Sequence, residues 1–119
     1  MKKTLVIGAS ENIDRYSNKA ILSLKNHGHE VIALGIRSGE VAGIKISTNK
    51  PQLTDIDTVT LYVGPKNQTE WIDYLIELNP KRIIFNPGTE NLDFYIRATQ
   101  KGIECIEGCT LVMLSIGNY

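Results

Sequence analysis

The chain has 119 residues, 42% hydrophobic and 22% charged, so we expect one globular domain spanning residues 1–119. Thirteen basic residues balance thirteen acidic ones, and this zero formal charge argues against bulk attraction to nucleic acid or to an anionic membrane. No apolar run is long enough to span a membrane and no targeting signal is evident, which makes the cytoplasm the expected location.

Strand-like and helix-like segments alternate along the chain. Short apolar runs, typical of strands covered on both faces, lie at Thr4–Gly8, Glu30–Leu34, Thr58–Val63, Arg82–Phe85 and Ile103–Ile106. Apolar residues with helical spacing follow these strands at 17–27, 71–78, 92–99 and 110–116. The last segment could instead be a strand. In the irregular stretch 35–57 we expect a small extension around Ile44 and Ile46 and a single turn at 52–55.

This alternation predicts an α/β fold with a parallel sheet between helices. Right-handed crossovers give a doubly wound, Rossmann-like topology with five strands in the order 3-2-1-4-5 and helices on both faces. Ligands bind to such sheets beyond the carboxyl ends of the strands, beside strand one. The loops expected to meet there are Gly8–Ser17, Gly35–Arg37, Val63–Pro65 and Asn86–Gly88.

The first of these loops has features of an anion-binding turn. Gly8 lets the backbone approach a phosphate, and the helix that follows directs free N–H groups toward it. Ser10 and Ser17 add hydroxyl donors. Because Ser10 and Ile13 occupy the second and third glycine positions of G-x-G-x-x-G, the loop departs from the usual NAD fingerprint. A tight strand-to-helix turn capped by a serine is the alternative interpretation.

The second loop indicates which nucleotide would bind. NAD-binding folds commonly place Asp or Glu near the end of strand two, whereas this chain has Arg37. A planar guanidinium suits a phosphate monoester, which favours a ligand with a ribose phosphate, either NADP or coenzyme A (CoA). An exposed loop arginine is the alternative. Asn86 and Gly88 follow the fourth strand and, with Val63–Pro65, would complete a cleft.

Several short motifs recur in an order typical of one protein family: LVIGAS, Arg15, Ser17-Asn18, the Arg37 loop, Gly43 in VAGIK, Asn86-Pro87-Gly88 and Glu107-Gly108-Cys109. Over nearly its whole length the chain resembles the stand-alone CoA-binding-domain proteins, small relatives of the N-terminal domain of the succinyl-CoA synthetase α-subunit. The resemblance implies that Gly8, Ala9 and Ser10 contact the CoA phosphates and that Arg37 meets the adenosine-phosphate end. It also implies an adenine and pantetheine path along Val63, Pro65, Asn86 and Gly88. With Arg15 and Ser17 at the helix start, the candidate binding residues are Gly8, Ala9, Ser10, Arg15, Ser17, Arg37, Val63, Pro65, Asn86 and Gly88.

No catalytic set and no metal site emerge from the sequence. Cys105 and Cys109 lack the spacing and partner ligands of a zinc or redox pair, and both are interpreted as thiols in the core. His27 and His29 flank the far end of the first helix and are interpreted as structural. Tyr16 has two interpretations, stacking on an adenine or packing against the sheet.

The sequence therefore predicts a protein that binds CoA or an acyl-CoA without catalysis of its own, as a binding, sensing or carrier protein. An NADP-dependent reductase is one alternative, which Arg37 permits although no substrate domain or proton donor is evident. A regulatory or structural subunit with a vestigial cleft is another. The expected partner is a small-molecule nucleotide, not nucleic acid or membrane, and a homo-oligomer or a partner enzyme stays open.

Overall fold

Strands and helices alternate in the computed structural model, which describes all residues 1–119. The strands are β1 (Thr4–Ile7), β2 (Val31–Leu34), β3 (Gly39–Val41), β4 (Ile44–Ser47), β5 (Thr58–Leu61), β6 (Arg82–Phe85) and β7 (Glu104–Glu107). The α-helices are α1 (Tyr16–Asn26), α2 (Thr69–Leu78), α3 (Leu92–Gln100) and α4 (Thr110–Ile116). The four helices predicted from apolar spacing are confirmed, whereas the turn predicted at 52–55 does not form. None of these helices combines the length and apolar character that crossing a bilayer requires.

The sheet has seven strands in the order β3-β4-β2-β1-β5-β6-β7, so the predicted count of five and the predicted order 3-2-1-4-5 are wrong. The run predicted as the third strand is β5, which pairs with β1 rather than lying outside β2. The place outside β2 belongs to β4, where Ile46 pairs with Ala33 in parallel register. Taking β4 as the third parallel strand restores the order 3-2-1-4-5-6 of the doubly wound fold.

Strand β4 lies where the sequence predicts a small extension around Ile44 and Ile46, but it was not counted among the strands of the sheet. It is short and belongs to a hairpin. Its sequence, IKIS, alternates in polarity and buries only Ile46, so it lacks the continuous apolar run that marks the inner strands. Strand β3 pairs with it in antiparallel register, and Ala42 and Gly43, both at positive φ, form the turn between them. This hairpin occupies one edge of the sheet.

Two helices cover each face of the sheet, as predicted. Helices α2 and α3 pack on one face, against a core that includes Leu5 and Ile7. Helices α1 and α4 pack on the other face, against a core that includes Val6 and Ala33. Successive residues of a strand point to opposite faces, so coverage of both faces explains why every residue of β1, β5 and β6 is buried and most of them are apolar.

Candidate ligand-binding cleft

A cleft of about 890 Å³ lies at the carboxyl edge of the sheet, beside β1. Loops after β1, β2, β5 and β6 form its walls, so the structure brings together the four loops that the sequence singles out. The volume falls within the usual range for small-molecule sites, roughly 300–1,000 Å³. The candidate residues that line it are Gly8, Ala9, Ser10, Arg15, Ser17, Arg37, Val63 and Gly88.

Glycines let the loops of the cleft pack closely on one another. Gly8 has φ of +92°, and an added Cβ would lie 2.9 Å from the Tyr62 carbonyl oxygen. At Gly35 an added Cβ would lie 2.4 Å from the Ala9 carbonyl oxygen. Close packing of the loops after β1, β2 and β5 therefore already requires glycine at these positions, before any ligand is considered.

The free N–H groups expected from the helix after β1 are present at the cleft, whereas the N–H groups of Gly8 and Ala9 are bonded within the protein. The N–H groups of Gly8 and Ala9 both donate to the Leu34 carbonyl oxygen at 3.0 Å, so they join β1 to β2. Helix α1 begins at Tyr16 without a side-chain cap and without an acidic residue in its first turn. The N–H groups of Tyr16 and Ser17 have no acceptor in the protein and lie at the cleft. An uncapped helix N-terminus carries partial positive charge and attracts anions.

The loop between β1 and α1 is fixed by its own hydrogen bonds. Asn12 N–H donates to Ser10 Oγ at 3.1 Å, and Asp14 N–H donates to Asn12 Oδ1 at 3.0 Å. The buried Asn18 donates through Nδ2 to the Ser10 carbonyl oxygen at 2.9 Å. The N-terminus of α1 is thus held at the cleft before any ligand arrives. Asn18 was not among the candidates, because its helical position gave no sign of a loop contact.

Two arginines at the cleft lack acidic partners. Arg15 and Arg37 are exposed and line the cleft, and neither takes part in any of the ion pairs of the protein. Of the two carboxylates in the lining, that of Glu70 lies 3.7 Å from Lys50 Nζ. That of Glu11 accepts the Glu40 N–H at 2.9 Å. Unpaired guanidinium groups beside free backbone N–H groups form a site suited to phosphates.

Asn86 and Pro65 do not line the cleft. The Asn86 side chain is buried and donates to Thr60 Oγ1 at 2.7 Å and to the Leu61 carbonyl oxygen at 2.8 Å. Its Oδ1 accepts the Thr110 N–H at 2.9 Å. Pro65 is exposed at the start of a 3₁₀ turn. In this structure Asn86 joins three elements, a role that its position after a strand did not reveal.

Three aromatic side chains line the cleft. Tyr16 is 70% exposed, so it does not pack against the sheet as one interpretation held. Trp71 is buried in the core under α2 and α3 and also borders the cleft. Tyr62 was missed, because it lies in a strand-like run. Its buried hydroxyl has no hydrogen-bond partner, and burial raises its pKa to about 12.

The cysteines and histidines lie outside the cleft lining. Cys109 is half-buried just before α4, and Cys105 is half-buried on β7, where burial raises its pKa. His29 Nδ1 accepts the Lys2 N–H at 2.9 Å, and burial lowers the pKa of His29. No three His, Cys, Asp or Glu side chains come together as metal ligands would.

Comparison with known proteins assigns the chain to a family. The family model described as a CoA binding domain matches residues 2–115. The chain belongs to this family. Membership agrees with the doubly wound sheet and with the cleft beside β1. Among curated proteins, none matches the chain.

Solved structures show the same fold. The crystal structure of an uncharacterized protein is 49% identical, with a TM-score of 0.98 over 100% of this chain and 98% of that chain. A hypothetical protein from Pyrococcus horikoshii OT3 is 26% identical, with a TM-score of 0.87 over 97% and 82% of the two chains. A conserved hypothetical protein from Pyrococcus furiosus is 25% identical, with a TM-score of 0.82 over 94% and 98%.

Proposed function

We propose that the cleft binds CoA or an acyl-CoA and that the protein acts as a binding, sensing or carrier protein without catalysis of its own. Membership in the CoA binding domain family supports the ligand class. The absence of a nucleophile–base pair among the residues of the cleft supports the non-catalytic role, since nucleophilic catalysis needs such a pair within hydrogen-bonding distance.

The observation that carries the proposal is the uncapped N-terminus of α1 in a cleft that two unpaired arginines also line. CoA presents a diphosphate and a separate phosphate on its ribose. The free N–H groups of Tyr16 and Ser17 suit the diphosphate, because a helix N-terminus stabilises an anion. Arg37, in the loop after β2, suits the ribose phosphate through its planar fork.

NADP is the competing ligand, because it too carries a diphosphate and a ribose phosphate. Arg37 therefore does not separate the two, and the family assignment is what favours CoA. A vestigial cleft in a regulatory or structural subunit is the third reading, and it predicts that neither compound binds. These alternatives differ in which ligand stabilises the protein.

The test is titration calorimetry, with thermal unfolding in parallel, using CoA, acetyl-CoA, dephospho-CoA, NADP and NAD. A ligand at 100 times its dissociation constant adds about 2.7 kcal/mol to the free energy of unfolding. We expect CoA to stabilise the protein more than dephospho-CoA, NADP or NAD. Arg37→Ala should raise the dissociation constant of CoA about tenfold, as loss of one charge-assisted contact implies, and leave that of dephospho-CoA nearly unchanged.

The matched control is Arg97→Ala. Arg97 lies outside the cleft lining and forms an ion pair with Asp73 at 2.7 Å, so its loss should not affect ligand affinity. Binding of NADP alone would replace the proposal with a reductase. Absence of binding by any of the five compounds would favour the vestigial cleft. If Arg37→Ala lowered the affinities for CoA and dephospho-CoA equally, Arg37 would not be the residue that contacts the ribose phosphate.

A further inference from the structure

The loop that carries Arg37 is held at its far end by Glu11. The Glu11 carboxylate crosses from the loop after β1 and accepts the Glu40 N–H at 2.9 Å. Gly39 makes room for it, because an added Cβ at position 39 would lie 2.4 Å from Glu11 Cδ and 2.6 Å from its Cγ. The Glu11 side chain therefore fills the space that the glycine leaves at the start of the β3–β4 hairpin.

The near end of the same loop is also fixed. Gly35 N–H donates to the Ser47 carbonyl oxygen at 3.0 Å, and Gly35 packs so closely on Ala9 that no side chain fits there. The residues between the two ends, 36–38, are exposed and line the cleft. The loop after β1 thus contacts the Arg37 loop twice, through its backbone at Ala9 and through the side chain of Glu11.

We propose that Glu11 is a positioning residue, which holds the 36–40 loop so that Arg37 stays at the cleft and selects a ligand with a ribose phosphate. This inference rests on the proposed function. If Glu11 acted only through its charge, it would weaken binding, since a carboxylate in an anion site repels an anionic ligand. Loss of Glu11 therefore tightens binding if only its charge acts on the ligand, and weakens binding if its hydrogen bond positions Arg37.

Three substitutions separate position from charge. Glu11→Ala removes the acceptor and the charge, whereas Glu11→Gln removes the charge and keeps an oxygen that accepts the Glu40 N–H. Gly39→Ala leaves Glu11 in the sequence but places a methyl group where the carboxylate lies. Gly39 is not at positive φ, so alanine is compatible with its backbone, and the flexible Glu11 side chain is the group that must move.

The control is Glu40→Ala, which removes a neighbouring exposed carboxylate but keeps the N–H that Glu11 binds. For each variant the dissociation constants of CoA and dephospho-CoA are measured, together with amide hydrogen exchange at Glu40 without ligand. We expect Glu11→Ala and Gly39→Ala to lower the CoA preference over dephospho-CoA about three- to tenfold, as loss of one exposed hydrogen bond of ordinary strength implies. Exchange at Glu40 should accelerate in both, while Glu11→Gln and Glu40→Ala stay near wild type.

The double variant gives an internal check. Gly39→Ala acts by displacing Glu11, so it should add little in the Glu11→Ala background. An unchanged or increased preference for CoA in Glu11→Ala, with wild-type binding intact, would overturn the positioning role alone. If the wild-type protein binds neither compound, the proposed function fails, and the role in selectivity fails with it.

Discussion

Tyr62 lies between the cleft and the core beneath α1 and α4. Its ring lines the cleft and packs against that core, while its hydroxyl is buried without a hydrogen-bond partner. The side chains of Thr60 and Thr110 approach the hydroxyl and oppose the rise in its pKa, but neither meets the geometry of a hydrogen bond. A buried hydroxyl without a partner destabilises a fold by about 1–3 kcal/mol, so Tyr62 is a position where stability is below its optimum.

The raised pKa of Tyr62 predicts a loss of stability in alkali. Burial raises the pKa of Tyr62 to about 12 in the folded protein, whereas an unburied tyrosine has a pKa of about 10, so the unfolded state releases the proton first. The contribution of the protonated Tyr62 hydroxyl to the free energy of unfolding is fully present below pH 10. It is lost as the pH rises toward 12, by at most about 1.4 kcal/mol per pH unit. Urea unfolding between pH 7 and pH 11 measures it.

Tyr62→Phe should remove that part of the pH dependence. At pH 7 the variant should be as stable as wild type or about 1 kcal/mol more stable, because it deletes an unpaired buried hydroxyl. Tyr16→Phe, at an exposed tyrosine, is the control and should follow the wild-type curve. An equally steep fall above pH 10 in Tyr62→Phe would show that other groups cause the alkaline loss.

At the scale of residues, the sequence predicted where most of the site lies but not what each residue does. Eight of the ten candidates line the cleft, and six of these eight are glycine, serine or arginine residues that follow strands in the sequence. The contacts of Gly8, Asn86 and Glu11 depend on residues distant in the chain, which local patterns do not contain. The free donors of α1 were expected, whereas the bonds from the Gly8 and Ala9 N–H groups to the Leu34 carbonyl oxygen were not, because Leu34 lies on another strand.

Among the elements, β5, β6 and α4 are joined by the Asn86 side chain. Its three hydrogen bonds reach Thr60 and Leu61 on β5 and the first N–H of α4 at Thr110. Thr60 Oγ1 and Thr110 Oγ1 are themselves 2.8 Å apart. A short helix with no side-chain cap of its own is thereby attached to the sheet.

Asn86→Ala should act mainly on the stability of the fold, and less on ligand affinity, because Asn86 does not line the cleft. It leaves a buried carbonyl and a buried N–H unpaired, which implies a loss of about 2–4 kcal/mol in the free energy of unfolding. Asn91→Ala is the comparison, since the Asn91 side chain makes two hydrogen bonds where that of Asn86 makes three. Asn91 Oδ1 accepts the Phe94 N–H at 3.2 Å and its Nδ2 donates to Gln68 Oε1 at 2.9 Å, so we expect a loss of about 1–2 kcal/mol. Urea unfolding compares the two, and an Asn86→Ala loss no larger than that of Asn91→Ala would contradict the anchoring role.

Element types were predictable, and so were the pairings of β1 with β2 and of β6 with β7, whereas the predicted pairings of β5 with β2 and of β6 with β1 were wrong. Apolar periodicity located the four helices and the strands β1, β2, β5, β6 and β7, because their segments are rich in apolar residues at helix or strand spacing. Strand β4 buries one side chain and owes its place to pairing with β2, a contact between segments about ten residues apart. The extension predicted around Ile44 and Ile46 was left out of the sheet, and this omission displaced β5 in the predicted order.

At the scale of the whole molecule, two cores share one sheet. The larger core lies under α2 and α3 and contains the one tryptophan, Trp71, and the smaller lies under α1 and α4. Strand β1 contributes side chains to both, and so cannot leave one core without disrupting the other. We therefore expect the two cores to unfold together.

Leu24→Ala tests this coupling from the smaller core. Leu24 is fully buried, and its truncation should cost about 2–5 kcal/mol. Fluorescence of Trp71 in the other core and far-UV circular dichroism should both shift to the same lower urea midpoint. A Trp71 transition that stays at the wild-type midpoint would show that the cores are independent units.

Glu11 and Gly39 share one volume, which the side chain of one fills only because the other has none. A lineage that gains any side chain at position 39 loses the room for the acid at position 11. A lineage that loses the acid is released from the need for glycine. We therefore expect positions 11 and 39 to covary among homologues. The contact that holds the loop with Arg37 could then be recognised from sequence before a structure is determined.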